Sequence, residues 1–362
     1  MYRAMKEKSL KSSASGLAAT GEPLRIGIVG FGYLAQNYYV PALRQLGRQL
    51  EICVADPLEG SRAAATRAFA TVRTYADYRQ LLENEPLHAV LVATPPSQHL
   101  EIWYAISHRE LPVFMEKPFL LSDELEQIDP ADPAWQKLMI NFNRRFWPAY
   151  RSLRQRVMDG SLGRIKRACF VLNVNAQKWS KVSNHRAQAG EGGALYDLGS
   201  QVLDLVLLTF CQQPAEIVAL RLGEGALNER IEMTVRFPDG LVVECKLAYG
   251  LRNRESVIIE GENATLQLRD PNFLVWVERT PSMPGRLARS AADLAALGYR
   301  GIFRSRSMLR YTVSASLEAF IETLGTSRVF SPGFKDALRV ARYIKVADDS
   351  MAEQAVGPDR IG

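Results

Sequence analysis

The chain has 362 residues, 47% of them hydrophobic and 23% charged, with a formal net charge of +6. That length suits two ordinary domains, and the composition is that of a soluble globular protein. No apolar run is long enough to cross a bilayer, and the four cysteines (Cys53, Cys169, Cys211, Cys245) have neither disulfide-framework nor metal-ligand spacing.

Residues 1–22 are rich in Ser, Ala and Lys, carry no apolar core and do not read as a secretory signal. They are expected to be a disordered tail. The cysteines sit in apolar runs and read as reduced core residues of a cytoplasmic protein. The four histidines form no cluster, so no metal is expected.

Leu24 to Val29 is predicted as a buried strand, followed at once by Gly30-Phe31-Gly32-Tyr33-Leu34-Ala35. A helix to Leu46, a strand from Ile52 to Ala55 ending at Asp56, and helices over Arg62–Phe69 and Asp77–Leu82 come next. Ala89–Ala93 is a buried strand, Ser97–Ser107 a helix, and Val113–Met115 a strand closed by Glu116-Lys117-Pro118. Asp129-Pro130-Ala131-Asp132-Pro133 breaks any helix begun near Ser122, and Lys137–Asn141 is a last strand. This alternation predicts a doubly wound parallel sheet over residues 23–142.

Beyond Asn143-Arg144-Arg145-Phe146 and a helix over Pro148–Met158 the texture changes. A long strand, Ile165–Val174, precedes a glycine-opened helix, Ala194–Phe210. Six short strands follow between Ile217 and Val277, with a hairpin signal at Pro238-Asp239-Gly240. Residues 143–331 are therefore predicted as an α+β domain with a large, mostly antiparallel sheet. The final helix, within 332–350, is expected to pack back on the first domain.

The glycine loop carries the first chemistry. Gly30 permits a tight turn, Gly32 lets a pyrophosphate approach the backbone, and Ala35 allows close helix–strand packing at a helix N-terminus. Tyr33 and Leu34 complete that loop. Asp56, at the end of the second strand, would accept hydrogen bonds from ribose hydroxyls and repel a 2′-phosphate, so NAD is expected in preference to NADP. Thr94 and Pro95 line the same crevice, with His99 on the helix behind them. Lys117 stands at a strand's carboxyl end, where ligands of parallel sheets bind. Beside a nicotinamide cation its amine would lose proton affinity and be able to take an alcohol proton. Asp197, Gln201 and Asp204 share one face of the glycine-opened helix and are expected to line a cleft.

Together these residues resemble the Gfo/Idh/MocA family, the glucose–fructose oxidoreductase and inositol dehydrogenase group. The resemblance runs from about Leu24 to Ser350 and includes the glycine loop, Asp56, Thr94-Pro95-Pro96 with His99, Glu116-Lys117-Pro118, Asn143-Arg144-Arg145-Phe146 and Gly192-Gly193-x-x-x-Asp197-x-Gly199. It implies a Rossmann domain joined to an open-faced sheet domain, with homodimers or homotetramers built through that sheet. It implies oxidation or reduction of a hydroxyl on a sugar, cyclitol or nucleotide sugar; no nucleic-acid partner is expected, because no reader fold accompanies the basic residues. Lys117 and Asp197 would lie in the catalytic cleft, Glu116 near the nicotinamide ribose, Arg145 near the nicotinamide, and Lys117–Pro118 would be cis.

One departure matters. Gln201 stands where the family usually has histidine, and glutamine does not titrate. Gln201 and Arg186 are expected to orient the substrate, leaving Lys117 to relay the proton; His185 and Tyr196 are weaker candidates. The same departure supports an alternative, a non-catalytic NAD-binding regulatory member. A third reading is an NAD-dependent glycosidase of the family. Arg279 to Arg310 holds seven arginines against Asp293, which reads as a solvated or subunit surface or as a site for phosphates.

Overall fold

The computed structural model describes residues 23–47, 49–175, 193–223, 228–250, 253–269, 275–279 and 308–355. Arg186, His185 and most of the arginine-rich stretch lie outside the described residues, as do the tail and Gly192.

Six strands make the first sheet: β1 (Leu24–Val29), β2 (Leu50–Ala55), β3 (Val72–Tyr75), β4 (Ala89–Val92), β5 (Val113–Met115) and β6 (Leu138–Ile140). Their order is β3-β2-β1-β4-β5-β6, and every neighbouring pair is parallel. The order reverses between β1 and β4, which opens a crevice at the strands' carboxyl ends. β1, β4, β5 and β6 are buried on both faces, as continuous apolar runs require. β3 was not anticipated: Val-Arg-Thr-Tyr is a four-residue edge strand without a fully buried position, so it carries no long apolar signal.

Helices α1 (Val40–Gln45, led by a π-helical turn Ala35–Tyr39), α2 (Glu59–Ala68), α3 (Tyr78–Asn84) and α4 (His99–Ser107) connect these strands. The proline-broken segment forms two short 3₁₀ turns, Ser122–Glu124 and Pro133–Lys137. Its anchor is Trp135. That ring stacks on Trp103 (4.8 Å between centroids) and on Phe334 (4.0 Å), tying the segment to α4 and to the carboxy-terminal helix.

After α5 (Pro148–Met158), seven strands form the second sheet: β7 (Ile165–Asn175), β8 (Glu216–Leu222), β9 (Arg230–Arg236), β10 (Val242–Gly250), β11 (Arg254–Gly261), β12 (Ala264–Arg269) and β13 (Val275–Arg279). Their order is β13-β12-β11-β7-β10-β9-β8; only β7 and β10 pair in parallel. One face is buried. Alternate residues of β10 (Val243, Cys245, Leu247, Tyr249) point into the core, as the period of two demands. α6 (Ser200–Phe210, entered through a π-helical turn Leu195–Gly199) covers that face, with α8 (Phe334–Ala355) beside it on β8.

Two assignments change. α7 (Met308–Thr323), read as part of the second domain, packs on the first: Val313, Leu317, Phe320 and Ile321 share a core with Ile26, Tyr39 and Leu91. α8, expected to return to the first domain, does so on β6, the Ser122–Glu124 turn and Trp135 but packs mainly on α6 and β8. The sequence predicts helices over Thr312–Leu324 and Phe334–Ser350, but not which sheet each covers. The cysteines also divide: Cys53 and Cys245 are buried, whereas Cys169 is only half-buried and Cys211 is exposed. Cys211 adopts φ 54°, the left-handed ending of α6.

Candidate active site

The carboxyl ends of β1, β2 and β4 bring Gly30, Asp56 and Thr94 to one cavity. Gly30 turns at φ 85°, and a Cβ there would lie 2.7 Å from the Ala93 carbonyl oxygen, so β1 and β4 approach this closely only at a glycine. At Gly32 no described atom lies within 4 Å of a Cβ position, leaving room for a ligand against the backbone. No side chain caps the helix that starts here, which leaves its positive end facing the glycine loop, where an anion is favoured. Asp56, 7% exposed, accepts the Phe31 N–H at 2.7 Å and the Leu58 N–H at 2.9 Å. It thereby fixes the glycine loop while bordering a cavity of about 380 Å³ lined also by Gly30, Thr94, Tyr78, Arg79 and Gln98.

His99 stands apart from that cavity. It is fully buried, and its ring nitrogens face the Pro118 carbonyl at 2.8 Å and the Thr94 carbonyl at 3.0 Å. The ring ties the end of β4 to the turn after β5. Lys117–Pro118 is cis.

Glu116 is clamped by two residues that the sequence reading had not singled out. Its Oε1 accepts the Tyr39 hydroxyl and the Asn141 amide, each at 2.6 Å. Burial pushes the Glu116 carboxyl up from its ordinary range, against those hydrogen bonds and the neighbouring Lys117 charge. Burial beside Glu116 likewise raises the Tyr39 phenol well above its usual value. Tyr39 lies one turn beyond Ala35 and Asn141 just past β6; a polar tip ending an apolar stretch was the available signal for each.

Lys117 meets Asp197 across the interface between the two sheets. Its Nζ pairs with Asp197 Oδ1 and donates to the Asp197 carbonyl at 2.9 Å. The side chains are 9% and 11% exposed. Asp197 Oδ2 accepts the Tyr249 hydroxyl at 2.9 Å, a third partner missed from sequence because it lies at the inward end of β10. Tyr196, beside Asp197, is engaged elsewhere, by Ser122 and by Asp348 at 2.9 Å.

The expected polar stripe on α6 therefore splits. Asp197 faces Lys117. Gln201 is 9% exposed and its Oε1 has no hydrogen-bond partner among the described residues. Asp204 instead pairs with Arg145, whose Nε reaches Asp204 Oδ2 at 2.7 Å and whose other arm reaches Asp336 at 2.9 Å. Burial opposes the Arg145 charge, but the two carboxylates more than offset it and hold the guanidinium above its ordinary value. Arg145, expected beside the nicotinamide, thus fastens the first domain to α6 and α8. Arg144 does similar work, donating to both Glu255 oxygens (2.8 and 3.2 Å).

The residues fit a dinucleotide. Besides the open glycine loop, three buried polar atoms at the crevice's strand ends have no partner among the described residues: Thr94 Oγ1, Asn141 Oδ1 and Asn143 Oδ1. Such atoms are seldom left unmatched in a working protein. The crevice can bind an anion at the glycine loop, a ribose near Asp56, and a polar ring toward Glu116 and Lys117.

Comparison with known proteins agrees. A family described as "Oxidoreductase family, NAD-binding Rossmann fold" matches residues 24–136, and the GFO/IDH/MocA C-terminal domain matches residues 150–267. An uncharacterized oxidoreductase, ORF334 of Rhizobium meliloti, is 28% identical over 68% of this chain and 75% of its own length. Levoglucosan dehydrogenase of Pseudarthrobacter phenanthrenivorans is 24% identical over 92% of this chain and 96% of its own length. The solved structure of the WlbA dehydrogenase from Bordetella pertussis, in complex with NADH and UDP-GlcNAcA, superposes with a TM-score of 0.75 at 17% identity, covering 92% of this chain and 96% of that one. The chain belongs to the GFO/IDH/MocA oxidoreductase family, and its first domain is an NAD-binding Rossmann domain.

Proposed function

We propose that this member of the family is an NAD-dependent dehydrogenase or reductase of a sugar, cyclitol or nucleotide-sugar carbinol, with Lys117 as the proton relay. The single observation that carries the reading is the buried contact of Lys117 with Asp197, joining the carboxyl end of a Rossmann strand to the helix that covers the second sheet. The levoglucosan dehydrogenase likeness over nearly the whole chain supports a sugar hydroxyl as the reacting group.

Bound NAD+ supplies the hydride acceptor. The chain supplies the other half of the reaction. In the reductive direction the Lys117 ammonium, held by the Asp197 carboxylate and backbone carbonyl, gives its proton to the oxygen of the carbonyl being reduced; in the oxidative direction the lysine first releases that proton to water and then takes the hydroxyl proton. Tyr249 holds the far oxygen of Asp197, which keeps the carboxylate turned to the lysine. Gln201 Oε1 is buried and has an unmatched lone pair, suited to accept a substrate hydroxyl. In this reading Glu116, fixed by Tyr39 and Asn141, orients the nicotinamide ribose, and Asp56 favours NAD over NADP.

The test is direct. The protein is incubated with NAD+ and a panel of levoglucosan, cyclitols and uridine-diphosphate sugars, and absorbance of the reduced cofactor is followed. Turnover that falls on the order of 10²–10⁴-fold in Lys117→Met supports the reading; turnover unchanged by that substitution refutes it. Gln201 in place of a titratable residue favours one rival, an NAD-binding regulatory protein. Tight NAD binding without turnover of any panel member would select that rival.

A further inference from the structure

The helix that carries Asp197 begins at an unusual contact. Gly193 adopts φ 64°, and a Cβ on it would collide with Glu229 Oε2. The same Oε2 accepts the Ala194 N–H at 2.5 Å, while Oε1 meets Arg221 Nε at 3.0 Å. Glu229 is only 7% exposed. Its main chain reaches the site by a second route: the Glu229 carbonyl accepts the Tyr249 N–H at 2.9 Å, and the Tyr249 hydroxyl holds Asp197. One residue entering β9 thus touches both things that locate Asp197, the helix start three residues before it and the tyrosine beyond its carboxylate.

We infer that Glu229 is a positioning residue, which sets Asp197 against Lys117 through the start of its helix and through Tyr249. This gives the second glycine of the Gly-Gly pair a physical reason. A side chain at 193 would drive the carboxylate away from Ala194. The inference rests on the reading of Lys117 and Asp197 as the proton-handling pair, but it is tested without turnover. Glu116 and Arg144, which act on the pair among the described residues, are left in place by every substitution used.

The full chain is prepared with 13C-labelled lysine, and the ε-methylene signal of Lys117 is assigned by its loss in Lys117→Arg. Glu229→Ala and Tyr249→Phe are each expected to displace that signal. The double variant should displace it no further than the larger single, because both act on Asp197. Glu229→Gln, which keeps an oxygen for the Ala194 N–H, should restore the original signal. NAD+ affinity, read by binding alone, should change by less than about 2-fold, since the glycine loop is untouched. Turnover of a panel substrate should fall on the order of 10–100-fold at an unchanged KM for NAD+. If Glu229→Ala does not fold, Glu229→Asp, shorter by one methylene, is read in its place. An unmoved Lys117 signal in the Glu229 variant, with a displaced one in Tyr249→Phe, overturns the inference and leaves Glu229 a helix cap. Displaced signals in a chain that reduces no NAD+ would keep the inference while removing the catalytic reading of the pair.

Discussion

Replacing Asp197 by asparagine removes one charge of a pair that is almost wholly out of water, with the two side chains 9% and 11% exposed. A buried charge left without its partner costs about 3–5 kcal/mol. An independent bound comes from escape by deprotonation: neutralising a lysine of ordinary pKa near 10.4 at pH 7 costs about 4.6 kcal/mol. Lys117 would still donate to the backbone carbonyl at 2.9 Å, so Asp197→Asn is expected near the lower end, about 3 kcal/mol. Lys117→Met leaves the carboxylate with the Tyr249 hydroxyl and should cost a similar amount. The double variant has no orphaned charge, so it should be less destabilised than the two losses summed, with a coupling of about 2–3 kcal/mol. Urea unfolding followed by tryptophan fluorescence measures all four proteins. Two single losses under about 1 kcal/mol that simply add would show an exposed, weakly interacting pair, and the reasoning from burial would be wrong.

Glu116→Gln bears on stability against pH. The wild-type carboxyl is raised above its ordinary value of 4.5 by burial, so the folded chain binds the proton more tightly than the unfolded one. That contribution is fully present below pH 4.5 and is lost as pH rises through the folded value; the variant, which keeps an oxygen for Tyr39 and Asn141, should lack this slope in denaturation series between pH 4 and 8. Gly30→Ala should weaken NAD+ binding by more than about 10-fold in titration calorimetry and cost about 1–2 kcal/mol from the left-handed backbone alone, the Ala93 clash adding to it. Arg145→Met strands Asp204, whose side chain is 1% exposed, and should cost about 3–5 kcal/mol at pH 7. That loss should shrink toward pH 4 as the buried carboxyl takes a proton; a loss independent of pH would mean that Asp204 finds another partner.

The parts of the site that were readable in the sequence are those whose signal is local. A buried strand ending in Glu116-Lys117-Pro118, and one ending in Gly30-x-Gly32, each announce a crevice residue within a few positions of the apolar run that places it. Asp197 was readable because glycines open its helix. Partners set by tertiary contact were not. Glu229 lies 35 residues from Ala194 and Tyr249 lies 52 from Asp197, and nothing near either one in the chain marks it as different from an ordinary sheet residue. Arg145 also has partners that lie far along the chain. Its motif suggested the nicotinamide, yet carboxylates 59 and 191 residues away claim its guanidinium. β3 escaped because an edge strand of one exposed and three half-buried residues has too little apolar periodicity to stand out.

Lys117 is proposed to face the reacting end of the bound dinucleotide, and a crystal structure of the protein with NAD+ and a substrate from the panel tests this most directly. It is expected to hold the substrate hydroxyl within hydrogen-bond reach of Lys117 Nζ, about 2.6–3.2 Å or through one water, while the carbinol carbon lies about 3–3.5 Å from the nicotinamide C4. A nicotinamide ring bound away from Lys117, with the Lys117–Asp197 pair closed off from both ligands, would contradict it.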